Sequence, residues 1–266
     1  MNPFTLPSPP VHGGEGIFFT RSPVHPFTRS LVHSSHHMTQ LLDAIEIETA
    51  PKPASAVIWM HGLGADGNDF APIVPELGLG DLPGIRFIFP HAPMMPVTIN
   101  NGLVMRAWYD VTYEDLEGRS RKNPDEKGVR ASQAAIEKLI ARENQRGVAA
   151  RNIVVAGFSQ GGAIALQTGL RHSERLAGVM ALSTYLPFAD SLPAEASAAN
   201  KDVPIFLAHG TNDAMIPFAM ATASRAKLGE LDYPVEWHQY PMQHSVCAEE
   251  IADIGKWLRK VFRVQS

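Results

Sequence analysis

Short apolar runs of strand length alternate along this chain with stretches whose apolar residues recur at helical spacing. The run Ala-Val-Ile-Trp-Met at 56–60 has no polar interruption, which predicts a strand buried on both faces. Runs at 86–89, 152–156, 176–182, 204–208 and 235–240 predict further strands, and 42–49 predicts an early one whose register the pattern leaves open. Val129, Ile136, Leu139 and Ile140 fall on one face of a helix over 126–142. A second helix is predicted at 163–170. On a terminal helix Ile251, Ile254, Leu258 and Val261 form a stripe that Asp253, Lys256, Arg259 and Lys260 avoid. Strands and helices in alternation predict an α/β fold: a mostly parallel central sheet with helices on both faces. Residues 94–127, rich in Asn, Pro and Gly, fit neither pattern and read as one long irregular loop, of the kind that is functional or mobile in a compact domain.

Composition narrows the class. With 45% hydrophobic and 19% charged residues the chain can bury a proper core. A net charge of −4 lacks the basic excess that nucleic acid demands, so no nucleic-acid partner is expected. Cys247 is the single cysteine, which excludes an intrachain disulfide framework and a cysteine-cluster metal site. No run reaches the roughly 18 apolar residues of a transmembrane helix, and a cytoplasmic protein with one domain over 38–266 is expected. Residues 1–37 stand apart. Six prolines, five histidines and no apolar periodicity predict a disordered N-terminal extension, with orderly sequence beginning just after Met38, the expected start of the functional chain. The extension lacks the apolar core of a secretory signal. His33, His36 and His37 have no carboxylate or cysteine partners nearby, so no metal site is expected there.

The strongest chemical signal is Gly157-Phe158-Ser159-Gln160-Gly161, a G-x-S-x-G pentapeptide directly after a predicted strand and before a predicted helix. A serine on such a turn projects its hydroxyl above the sheet, where N–H groups at the helix start face developing negative charge. An alcohol is a poor nucleophile at neutral pH and needs a base, itself oriented by an acid. In this class of turn the acid and then the histidine follow the serine in sequence. Asp213 follows the 204–208 strand, and His244 lies between the last strand and the last helix, at the rim where such folds bind ligands. The alternatives fit worse. His172 ends a helix, His209 precedes the acid, His238 sits in a strand, Asp202 precedes its strand, and Asp190 and Asp232 lie in loops or turns. The expected constellation is Ser159, Asp213 and His244. Backbone N–H groups of Gln160 and of Leu63, in the glycine-flanked turn His61-Gly62-Leu63-Gly64, supply the expected oxyanion hole. Gly62 to Gly67 also satisfies G-x-G-x-x-G after a strand. The next strand ends in Phe89-Pro90-His91 without the acidic residue a dinucleotide ribose requires, so that reading fails.

Seven ordered motifs carry a wider likeness: HGLG (61–64), PHAP (90–93), PVTIN (96–100), AWYD (107–110), GFSQGG (157–162), HGTND (209–213) and HSVCAEEIADIG (244–255). Together, over about residues 40–263, they resemble the acyl-protein thioesterase/carboxylesterase family, nearest to its bacterial phospholipase/carboxylesterase branch. The resemblance implies an α/β-hydrolase without a large cap, the Ser159–Asp213–His244 triad, the Leu63 and Gln160 oxyanion donors, and Trp108 bordering an acyl pocket. It implies hydrolysis of carboxylic esters, thioesters or lysophospholipids, with an acylated protein in range as substrate and no cofactor or metal. An apolar pocket rim offers a surface for a homodimer. One departure stands out. The family commonly has Gly immediately before the catalytic histidine, and this chain has Gln243. If that position needs positive φ, the substitution stores about 1–3 kcal/mol of strain; otherwise the loop is redrawn and the Gln side chain reaches into the site. A spoiled histidine geometry would leave the alternative, a non-catalytic acyl- or lipid-binding α/β-hydrolase-like protein. Cys247, one turn into the expected last helix, reads as a small buried hydrophobe.

Overall fold

The inner apolar runs of the sequence find two covered faces. In the computed structural model, which describes residues 41–116 and 125–263, β1 (Ala44–Glu48), β2 (Ser55–Met60) and β3 (Ile85–Pro90) open the chain. A hairpin of β4 (Met94–Val97) and β5 (Leu103–Arg106) follows, then the single turn α1 (Tyr113–Leu116) and the long helix α2 (Glu126–Gln145). Then come β6 (Ile153–Phe158), α3 (Gln160–Gly169), β7 (Gly178–Leu182), the short α4 (Leu192–Glu195) and β8 (Ile205–Gly210). The chain ends with α5 (Phe218–Glu230), β9 (Val235–Tyr240) and α6 (Ala248–Arg263). The expected extension 1–37 and the expected start at Met38 lie outside the described residues.

One seven-stranded sheet has the order β1-β3-β2-β6-β7-β8-β9. Only its edge strand β1 runs antiparallel to its neighbour; the other pairs are parallel. The alternation of side chains along each strand splits the core in two. Ala56, Ile58 and Met60 join Ile136, Leu139 and Ile140 of α2 and Leu166 of α3 on one face. Val57 and Trp59 join Ile254, Trp257 and Leu258 of α6 on the other. Because β2, β6, β7, β8 and β9 are parallel, their carboxyl ends share one rim: Met60 pairs with Gly157, Phe158 with Leu182, and Gly210 with Tyr240. The residues after those ends converge there whatever their separation in sequence.

One expectation about elements needs correction, and one helix is new. Residues 94–106 are not irregular but form the β4–β5 hairpin, with Met94 opposite Arg106 and Val97 opposite Leu103. Asn101 and Gly102, both at positive φ (55° and 76°), close its turn. The hairpin escapes a period-two reading because its exposed positions, Met94, Leu103 and Val104, are as apolar as its covered ones, Met95 and Val97. Helix α5, absent from the sequence reading, buries Ala221, Ser224 and Leu228, a stripe of mostly small side chains that carries little apolar signal.

Candidate active site

Ser159 occupies the turn between β6 and α3 with φ 54° and ψ −121°. A residue held in that left-handed region costs about 1–3 kcal/mol and persists only where its surroundings fix it. Here its own backbone is held on both sides. Its N–H donates to Leu182 O at 2.8 Å, and its carbonyl accepts from Thr184 Oγ1 at 2.7 Å and from Ala163 N at 3.1 Å. The flanking glycines make room. A Cβ on Gly157 would lie 2.2 Å from the Gly161 carbonyl, and one on Gly161 would lie 2.5 Å from Met60 O.

The three residues expected from sequence meet at the rim. His244 Nε2 lies 2.9 Å from Ser159 Oγ, and His244 Nδ1 lies 2.7 Å from Asp213 Oδ2. The other carboxylate oxygen of Asp213 accepts from the N–H groups of Met215 and Ile216, each at 2.9 Å. Burial pushes the Asp213 carboxyl up, but the hydrogen bonds from His244, Ile216 and Met215 outweigh it and hold the group below the usual carboxylate range. It is an anion aimed at the far nitrogen of the imidazole. The ring of Phe158 packs on His244 with centroids 4.8 Å apart and limits water on that side.

Sequence reasoning set His209 aside as a base, and it has a different place. Fully buried, with its pKa lowered by that burial, it puts Nε2 2.9 Å from Ile216 O and 3.4 Å from Asp213 Oδ2, bracing the loop that carries Asp213. His61 is a second buried neutral ring, pushed down to about 4 by burial. Ala92 N–H donates to its Nε2 at 3.0 Å, so Nδ1 carries the proton and donates to Gly62 O at 2.7 Å. Neither role is visible in sequence, because a satisfied core histidine and a bracing one have the same neighbours in the chain.

Leu63 lies in the loop His61 orders, and this loop reaches Ser159: a Cβ on Gly62 would be 3.4 Å from Ser159 Cβ. The adjacent Gly64 N–H is bonded to Arg106 O at 2.9 Å. Gln160 opens α3, where an N–H has no intrahelical acceptor. Trp108, expected at a pocket border, is only 2% exposed and packs against His61, with ring centroids 5.3 Å apart. Gln243 is exposed and is absent from the described non-glycine residues at positive φ, so neither strain nor a side chain turned into the site follows from it. Cys247 is half-buried against the α6 side of the core.

Beside the site a cleft of about 680 Å³ runs between the 64–69 segment and the hairpin. Met94, Val104, Met105 and Arg106 line it from the hairpin, and Asp66 and Asp69 from the other segment. Among the described residues no group of His, Cys, Asp and Glu is disposed to hold a metal ion, and no helix is long and apolar enough to cross a membrane.

The chain is similar to known proteins over most of its described length. The sequence matches the phospholipase/carboxylesterase family model over residues 42–262. It is 39% identical to acyl-protein thioesterase 1 of Neurospora crassa, over 80% of this chain and 89% of that protein. It is 38% identical to the protein of the same name from Yarrowia lipolytica, over 82% and 96%. Arabidopsis thaliana SOBER1 superposes with a TM-score of 0.73 at 32% identity, covering 78% of this chain and 98% of that one. Zea mays acyl-protein thioesterase 2 superposes with a TM-score of 0.69 at 26% identity, covering 82% and 98%. With its capless α/β-hydrolase sheet and its serine at the strand-to-helix turn, the chain belongs to the phospholipase/carboxylesterase family and is a serine hydrolase of the esterase and thioesterase type.

Proposed function

We propose that this hydrolase cleaves its substrates by two-step acyl transfer, with Ser159 as nucleophile, His244 as base and then acid, and Asp213 as the group that orients His244. The observation that carries this is the unbroken relay from Ser159 Oγ through His244 to Asp213 at 2.9 and 2.7 Å. Ser159 Oγ attacks the acyl carbon as its proton passes to His244 Nε2. The carbonyl oxygen becomes an oxyanion and accepts from the Leu63 and Gln160 N–H groups. The tetrahedral adduct collapses, the bond to the leaving oxygen or sulfur breaks, and that atom takes the proton from Nε2. Water then attacks the acyl-enzyme by the same route, releasing the carboxylic acid and restoring the serine. Asp213, anionic in its hydrogen-bonded pocket, stabilises the imidazolium formed in each half. The scheme uses no cofactor.

The cleft beside Gly64 supports an elongated, partly apolar substrate: an acyl thioester on a protein, as the names of the relatives suggest, or a lysophospholipid. Its apolar wall on the hairpin, with Leu103 exposed beside it, supports the homodimer, which light scattering would test. Residues 38–266 act as one functional domain in this reading and 1–37 carry no chemistry, so a chain starting at Met38 retains activity. A cytoplasmic location completes it, and cell fractionation is its test. The relay, with His244 within reach of both Ser159 and Asp213, supports catalysis over a non-catalytic acyl binder.

Ser159→Ala tests the mechanism. It abolishes p-nitrophenyl butyrate hydrolysis and fluorophosphonate labelling while leaving the melting temperature near wild type. Unchanged turnover would remove Ser159 from the reaction, and a wild-type protein that never labels would return the acyl-binding alternative.

A further inference from the structure

The proposed oxyanion donors, Leu63 and Gln160, come from loops far apart in sequence, and two N–H groups bind one oxygen only if their separation is fixed. Between the two loops lies Trp108, and both of its N–H groups serve this junction. Its backbone N–H donates to Gln160 Oε1 at 2.8 Å, and its indole Nε1–H donates to His61 O at 2.9 Å. Its carbonyl accepts from Ser132 Oγ on α2. The other end of the Gln160 amide donates to Tyr109 O at 2.6 Å, so that one side chain grips two consecutive backbone groups. His61, Trp108 and Gln160 are 1%, 2% and 4% exposed, so water is a poor substitute for these bonds.

We propose that Trp108 is a positioning residue: with the side chain of Gln160 it forms a strut that sets the separation of the Leu63 and Gln160 N–H donors, and it is not a wall of the acyl pocket. The inference rests on the proposed oxyanion hole and assigns a role to side-chain bonds that the acyl-transfer scheme does not use. The indole N–H reaches the carbonyl of the residue two before Leu63, while the backbone N–H reaches the side chain of the residue that carries the second donor. Lengthening either contact lets the first loop drift relative to the second. Such a fault appears where charge develops on the oxygen, so it lowers kcat and leaves KM alone. A pocket wall behaves differently: changing it alters KM, and the change depends on acyl chain length.

The test is Trp108→Phe, which keeps an aromatic ring and removes the indole N–H. kcat and KM are measured on p-nitrophenyl butyrate and octanoate. Inhibition is measured with an alkyl trifluoromethyl ketone, which forms a tetrahedral oxyanion adduct, and with the matching alkyl methyl ketone. The expected result is a fall in kcat of about tenfold or more, equal for both esters, with KM unchanged within about twofold. Affinity for the trifluoromethyl ketone falls by the same factor and that for the methyl ketone does not. Gln160→Met, which keeps the backbone donor and removes the amide, gives the same pattern and serves where the tryptophan variant does not fold. The strut is overturned if kcat and trifluoromethyl ketone affinity are unchanged, or if KM shifts with chain length instead. The two readings fail separately: turnover surviving in Ser159→Ala defeats the mechanism, whereas an inert Ser159→Ala beside a fully active Trp108→Phe defeats only the strut.

Discussion

Adding one methyl group at Gly161 should damage activity more than stability. A Cβ there would stand 2.5 Å from Met60 O and 2.6 Å from His61 O. Both atoms belong to the backbone, and Met60 is locked to Gly157 in the sheet, so no side chain can swing aside. Reaching ordinary contact at 3.4 Å requires the start of α3 and the end of β2 to part by about 0.9 Å. Overpacking of this kind costs about 1–3 kcal/mol. For a domain of this size each kcal/mol lowers Tm by about 2–4 °C, so a fall of roughly 2–12 °C is expected. The same displacement moves Gln160 N–H away from the loop of Leu63, and an ångström of misplacement costs about 10²-fold in rate. Gly161→Ala should therefore remain folded at 25 °C and lose kcat on p-nitrophenyl butyrate by that order. Gly229→Ala, where an added Cβ meets nothing within 4 Å, is the control and should leave kcat unchanged. A Gly161→Ala enzyme with wild-type kcat would refute the reasoning, whatever its Tm.

Asp213→Asn should keep the fold but lower kcat by about 10³–10⁴-fold, because a neutral amide does not stabilise the His244 imidazolium; a near-wild-type rate would move the acid elsewhere. Glu250 supplies a pH effect on stability: burial in the first turn of α6 pushes its carboxyl from 4.5 up to about 8, and neither oxygen meets a full hydrogen bond among the described residues. The folded chain therefore holds a proton that the unfolded chain has lost, so this contribution is present below about pH 4.5 and disappears as pH rises through about 8. Relative to wild type, Glu250→Gln should gain up to about 1.4 kcal/mol per pH unit across that window in urea unfolding, and a difference that stays flat between pH 5 and 9 would remove Glu250 as the source.

The parts of this fold that could be read from sequence are those where burial writes itself into residue type. The runs at 56–60 and 204–208 lie within β2 and β8, apart from Pro204, because both faces of those strands are covered and every position is apolar. The hairpin and α5 are illegible for opposite reasons: one exposes its apolar side chains, the other buries small ones. Asn101-Gly102 was the available signal for the hairpin, since adjacent residues at positive φ favour those two types. The candidate site was legible where a role is tied to a strand end, as for Ser159, Asp213 and His244. The pairings of Trp108 were not, because its partners His61 and Gln160 lie 47 and 52 residues away, and no local pattern records them.

Position 243 shows how a departure in sequence can be absorbed elsewhere. Glycine before the histidine would matter if that backbone were left-handed or crowded, and Gln243 is neither. The crowding falls on Gly210, at the end of the strand that leads to the acid: a Cβ there would lie 2.4 Å from both Met242 O and Gln243 O. Around that approach Thr211 N–H donates to Tyr240 O at 2.8 Å, Asn212 N–H to Met242 O at 3.1 Å, and Ser245 N–H to Gln243 O at 2.9 Å. The segment bearing His244 is thus laid backbone to backbone against the segment bearing Asp213, and the side chain at 243 takes no part in the joint. The distance from His244 to Asp213 depends on the missing side chain at Gly210 far more than on the extra one at Gln243. The relay therefore keeps its geometry with glutamine in place.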